Sequence, residues 1–168
     1  MAPFDTALTP TTTPALALRR IVAGCQADLR KHRALVLRGR RPVSVHQTRV
    51  ALRKMRAAIG LFRAAVDGPA VRSLNHEAKW LAAECGPARD LHVFLTETVE
   101  GVPPEVRRIA SRLEATYLQR ARAALGSARF DAFDHKLERF MELPPAPGED
   151  DRLDRFARTA LASRHAKA

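Results

Sequence analysis

Between Leu29 and Val66 the chain has no aspartate and no glutamate, although eleven lysines and arginines fall in the same stretch. An ordinary helical surface mixes the two signs and forms pairs three or four residues apart. Cysteine is nearly absent too: Cys25 and Cys85 lie far apart in apolar context, which excludes a disulfide framework and a Cys-type zinc site. The six histidines include no pair three or four residues apart, so no helical metal-ligand pair is expected. Aromatic residues make up only 5% of the chain, and Trp80 and Tyr117 are expected in the core. A nucleotide-binding Gly-rich loop and a His-Glu-x-x-His helix are missing, and the acid-free window holds no carboxylate to act as a base. These gaps argue against an enzyme and against any cofactor. No apolar run reaches membrane-spanning length and no signal-type segment opens the chain, so a cytoplasmic location is the expectation.

What is abundant is alanine, leucine, valine and arginine. Hydrophobic residues reach 46%, enough for a core, and few windows alternate as strands do. The fold class is therefore all-α. The net charge is +11, which destabilises a compact state unless anions meet it. A GC-rich genome would also raise arginine, but it would not delete acids from one window.

Residues 1–13 read as a disordered tail. Thr13-Pro14 gives an N-cap followed by proline at the first helical position, and that helix runs to about Leu37. Ser44 and Gln47 read as a capping box for a second helix reaching about Val66. A third helix, about 70–85, is expected to end at Gly86-Pro87, and Pro87 to open a fourth that ends near Gly101. Residues 14–101 would thus form an antiparallel four-helix unit. Residues 102–168 would form a partial second bundle, with helices at about 105–125, 128–142 (capped by Ser127) and 151–165.

The charge pattern points to a site. On the second helix His46, Arg49, Arg53 and Arg56 fall within an arc of roughly 80° at about 100° per residue, and Arg63 extends the row. Leu52, Met55, Ala58, Ile59 and Phe62 occupy the neighbouring arc and form the core face. A cationic row that borders the core is crowded and self-repelling, and phosphate suits it because guanidinium forks donate two parallel hydrogen bonds. On the first helix Arg19, Gln26, Arg30 and Arg33 share a face, and Arg30 and Arg33 are counted with the site. Lys79 and Arg89 add cations from the following helices, while Asp90 reads as a cap or ion-pair partner. His46, with an ordinary pKa near 6.5, would strengthen anion binding when protonated.

The run Val45-His46-Gln47-Thr48-Arg49-Val50-Ala51-Leu52-Arg53-Lys54-Met55-Arg56, followed by Phe62, closely resembles the signature helix of the CHAD family, the conserved histidine α-helical domains. Leu81-Ala82-Ala83-Glu84-Cys85-Gly86-Pro87-Ala88-Arg89-Asp90-Leu91 resembles that family's second signature. The resemblance spans about residues 14–143. It implies two similar helical bundles around a basic groove that binds inorganic polyphosphate, without catalysis and often at polyphosphate granules. By position, it implies that His46, Arg49, Arg53 and Arg56 face the ligand, with Lys79 and Arg89 nearby. Two features depart from the pattern. His92 stands where the family usually has aspartate, and His135-Lys136-Leu137-Glu138-Arg139 does not match the second His-x-x-Arg helix. The expectation is one complete half and part of the other, with a possible homo-oligomer closing the groove. The competing ligand is nucleic acid, whose backbone suits the same charge. Against it, the basic stretch has almost no interleaved aromatics for stacking bases and no helix-turn-helix.

Overall fold

Thr13 starts the first helix by accepting the Leu16 N–H at its Oγ1, 3.3 Å away, while Pro14 fills the first turn where a missing N–H costs nothing. In the computed structural model, which describes residues 8–39, 42–97, 101–143 and 152–165, this helix is α1 (Pro14–Arg38). It is followed by α2 (Pro42–Phe62), α3 (Pro69–Glu97), α4 (Pro104–Leu125), α5 (Ala128–Glu142) and α6 (Leu153–His165). The chain is all-α: no strand occurs among the described residues. No helix among them is long and apolar enough to cross a membrane. The expected linker at Pro144–Gly148, the basic pair Arg40-Arg41 and residues 1–7 lie outside the described residues.

Three expectations about the elements are corrected. The helices assigned to 70–85 and 87–101 are one continuous α3, with Pro87 inside it. Gly86 has no positive φ, so Gly86-Pro87 makes no turn. The buried face Leu74, Ala78, Leu81, Cys85, Ala88 keeps its helical spacing straight through Pro87, and this packing outweighs the bond that proline removes. The antiparallel four-helix unit is accordingly three helices, α1 to α3. Second, α2 begins at Pro42, so Ser44 is no cap. It is buried inside the helix, and its carbonyl accepts from Thr48 Oγ1 at 2.9 Å. Third, residues 8–13 are folded and not a tail. Thr12 is buried, its Oγ1 accepts the Thr9 N–H at 3.0 Å, and its carbonyl accepts the Leu153 N–H at 2.9 Å.

Nor is residue 101 a packing boundary. Successive helices pair through α4, and α5 packs against both α1 and α3. Phe130, Phe133, Leu137 and Phe140 of α5 join Ala121 and Leu125 of α4 in the same buried cluster as Leu18, Leu29, Leu52, Met55 and Leu81. Phe156 of α6 closes one end by stacking on Phe62, ring centres 5.2 Å apart. Ser127 caps α5 as expected, accepting the Phe130 N–H at 3.2 Å. Cys25 and Cys85 are both buried free thiols. Desolvation pushes Cys25 up to about 11 and Cys85 up to about 12, so both stay protonated and act as small apolar side chains.

Candidate anion-binding site

On α2 the core-facing set Ala51, Leu52, Met55, Ala58, Ile59 and Phe62 is buried, which turns the adjacent arc towards α3. Along that arc, spacings of three, four and three bring His46, Arg49, Arg53 and Arg56 to the edge of the α2–α3 interface. There they line a cavity of about 560 Å3 together with Lys79 and Arg89 of α3. Val50, Ala82, Ala83 and Val93 make the rest of its wall, and Asp90 is the one carboxylate lining it. The small residues on α3 leave room between the helices that larger side chains would fill.

Two contacts order this pocket. Arg89 donates its Nε–H to His46 Nδ1 at 2.8 Å, across from one helix to the other. Arg49 lies with Nη2 3.8 Å from Asp90 Oδ1, too far for a hydrogen bond, and Arg89 Nη2 is 4.0 Å from Glu97. Asp90 and Glu97 are mostly solvent-exposed, so both pairs are weak. Among the described residues, Arg53, Arg56 and Lys79 form no ion pair with a carboxylate. The pocket is therefore a cluster of cations held close with little internal neutralisation.

His46 sits in this field as an acceptor. Burial, and then Arg89, Arg49, Arg53 and His92, hold its pKa below the ordinary value. It is neutral at neutral pH, with Nδ1 free of a proton and directed at Arg89. An unfolded chain takes up this proton near pH 6.5, whereas the folded chain resists it until lower pH. Stability consequently falls as pH drops below about 6.5. Burial, followed by Lys31, lowers His32 in the same direction, so the two contributions must be separated. Denaturation at pH 7.5 and 5.5 of the parent and of His46→Asn, whose amide oxygen can still accept from Arg89, is expected to show a smaller acid loss in the variant. An equal loss in both would assign the effect to His32 and other groups.

Arg30 and Arg33, counted with the site from sequence, are placed elsewhere. They face α5, not the pocket. Arg30 donates to Asp134 at 2.9 Å and pairs with Glu138. Arg33 pairs with Asp131 at 2.7 Å, donates to the Leu125 carbonyl at 2.8 Å and covers the Phe130 ring. Gln26, on the same face, is buried and donates to Asp134 Oδ1 at 2.8 Å. That face of α1 is thus an interhelical clasp. Similar pairs join Arg120 to Glu84, and Arg129 and Lys136 to Glu77, with Arg129 also lying over Trp80. His92 is likewise structural, linking α3 to Glu114 of α4 at 2.8 Å. Arg63 lies in the turn after α2 and does not line the pocket.

A family model described as the CHAD domain matches residues 20–168. No curated protein matches the chain in sequence. Among solved structures, the crystal structure of the CHAD domain from the plant Ricinus communis is similar, with a TM-score of 0.77 at 24% identity. The alignment covers 98% of this chain and 58% of that one, so this chain spans a little over half the length of the plant chain. The segments 45–56 on α2 and 81–91 on α3 fall inside the matched region and supply the lining of the pocket apart from Lys79 and Val93. The chain belongs to the CHAD family.

Proposed function

We propose that the α2–α3 pocket binds inorganic polyphosphate and that the chain is a binding module, not a catalyst. The observation that carries this reading is convergence: His46, Arg49, Arg53 and Arg56 from one helix and Lys79 and Arg89 from the next meet at one cavity lined by a single carboxylate. Phosphate oxygens supply the acceptors that these guanidinium groups lack. From His46 to Arg56 the row extends about 15 Å along α2 at 1.5 Å per residue, which suits a linear polyanion better than one orthophosphate. His46 is engaged with Arg89 instead of being paired with a carboxylate. A module of this kind would take the chain to polyphosphate deposits in the cell, and a long anion would be able to bridge two chains.

The test is competition. Polyphosphate of defined length, duplex DNA, single-stranded RNA and orthophosphate are titrated at matched ionic strength. Polyphosphate is expected to bind at least as tightly as either nucleic acid and far more tightly than orthophosphate, with affinity falling as salt rises. Nucleic acid displacing long-chain polyphosphate would transfer the site to a backbone-binding role on DNA or RNA.

A further inference from the structure

We propose that Gly86 is a positioning residue of the anion site, its missing side chain forming the seat for the guanidinium of Arg49. The proposal rests on the polyphosphate reading above and extends it to a residue that has no side chain to offer a ligand.

Glycine and proline are the poorest helix formers, yet Gly86 and Pro87 stand together inside a 29-residue helix. Turn geometry does not explain the glycine, because Gly101 is the one described residue with positive φ. Close helix packing does not explain it either. Apart from its chain neighbours and the backbone of its own helix, a β-carbon at Gly86 would meet no backbone and no core side chain within 4 Å. It would meet Arg49 alone, with Nη1 at 2.7 Å and Cζ at 3.9 Å. Gly24 and Gly60 have nothing within 4 Å of that position, so among the described glycines within helices an occupied site is particular to Gly86.

The register on α3 gives this contact its meaning. Lys79, Ala82, Ala83, Arg89, Asp90 and Val93 are the α3 residues lining the pocket. They lie seven, four and three residues before Gly86 and three, four and seven after it. Gly86 is therefore the midpoint of the lining face, and at that midpoint Arg49 reaches across from α2 and rests on the helix. Seated there, its guanidinium lies beside Asp90 with only a third of the side chain exposed, and its position is fixed before any anion arrives. Preorganisation of this kind raises affinity by removing an ordering cost from the binding step.

An added methyl would displace Nη1. Because Nη1 ends a long flexible side chain, Arg49 would swing away and the helices would stay in place. Alanine also favours the helix over glycine. The two consequences have opposite signs: Gly86→Ala leaves thermal stability unchanged or raised, and weakens binding.

The experiment is a double-mutant cycle with sodium polyphosphate of defined length, read by calorimetric titration, with thermal melts of each protein. It compares the parent, Gly86→Ala, Arg49→Ala and the double variant. Gly86→Ala is expected to weaken binding roughly tenfold, the scale of one hydrogen bond to a charged group, with a melting temperature at or above the parent's. In the Arg49→Ala background the same change is expected to have no further effect. Parental affinity in Gly86→Ala, an equal loss with and without Arg49, or a clearly lowered melting temperature would each overturn the proposal while leaving the polyphosphate reading intact. A parent that binds no polyphosphate would remove both.

Discussion

An Arg49→Ala/Arg53→Ala variant is expected to bind polyphosphate at least about a hundredfold more weakly than the parent, since each hydrogen bond to a charged group contributes about 1.5–3 kcal/mol and 1.4 kcal/mol is a factor of ten. It is expected to melt no lower, and even slightly higher. Arg53 has no carboxylate partner among the described residues, and Arg49 has only the 3.8 Å approach to an exposed Asp90. Removing them costs the fold almost no attraction and relieves repulsion from Arg56, Lys79 and Arg89. Saturating polyphosphate should then raise the parent's melting temperature far more than the variant's, because stabilisation by a ligand follows its affinity for the folded state. Calorimetric titration and thermal melts on the same samples check both halves. An unfolded variant would show that these arginines hold the bundle together.

The opposite phenotype is expected from Asp134→Ala. Its carboxylate accepts from Gln26 at 2.8 Å and from Arg30 at 2.9 Å, and Gln26 is only 4% exposed. Truncation takes the charged acceptor from the buried Gln26 amide, which keeps only the backbone carbonyl of residue 134 at 3.1 Å, and leaves Arg30 with Glu138 alone. Losing the hydrogen bonds that Gln26 and Arg30 make to this charged carboxylate costs about 2–3 kcal/mol. For a chain of this size that corresponds to a melting-temperature drop of roughly 5–10 °C. Polyphosphate affinity should stay within about twofold, because distant sites that share no partner behave additively. Thermal melts and titration of this one variant separate the α1–α5 clasp from the α2–α3 pocket. A large loss of affinity would show that the two arginine sets act together.

The contrast between those arginine sets shows what was legible in the sequence. Periodicity within one helix places His46, Arg49, Arg53 and Arg56 on one arc and Leu52, Met55, Ile59 and Phe62 on the next, and the structure has both. Caps legible from side-chain chemistry, Thr13 and Ser127, are where the helices begin. Which helix a given face meets is a non-local fact, and here the reading of Arg30 and Arg33 departed from the structure. A signal did exist. Asp131, Asp134 and Glu138 share a face of α5 at spacings of three and four, the complement of Gln26, Arg30 and Arg33 at four and three. Matching acidic and basic arcs across the whole chain would have paired them. Gly86-Pro87 misled for a different reason. Local propensity there signals a break, while the buried row through Cys85 and Ala88 carries the helix on, and tertiary packing overrides propensity. The seat for Arg49 had no sequence signal of its own, since it depends on a side chain arriving from another helix.

The most direct test of the account is nuclear magnetic resonance of the arginine Nε–H groups during titration with polyphosphate of defined length. Arg49, Arg53, Arg56 and Arg89 are expected to shift together and saturate with one binding curve, with Arg30 and Arg33 as internal controls that stay in place at the α1–α5 clasp. Shifts led by Arg30 and Arg33, or small shifts spread evenly over every exposed arginine, would contradict a polyanion site in the α2–α3 pocket.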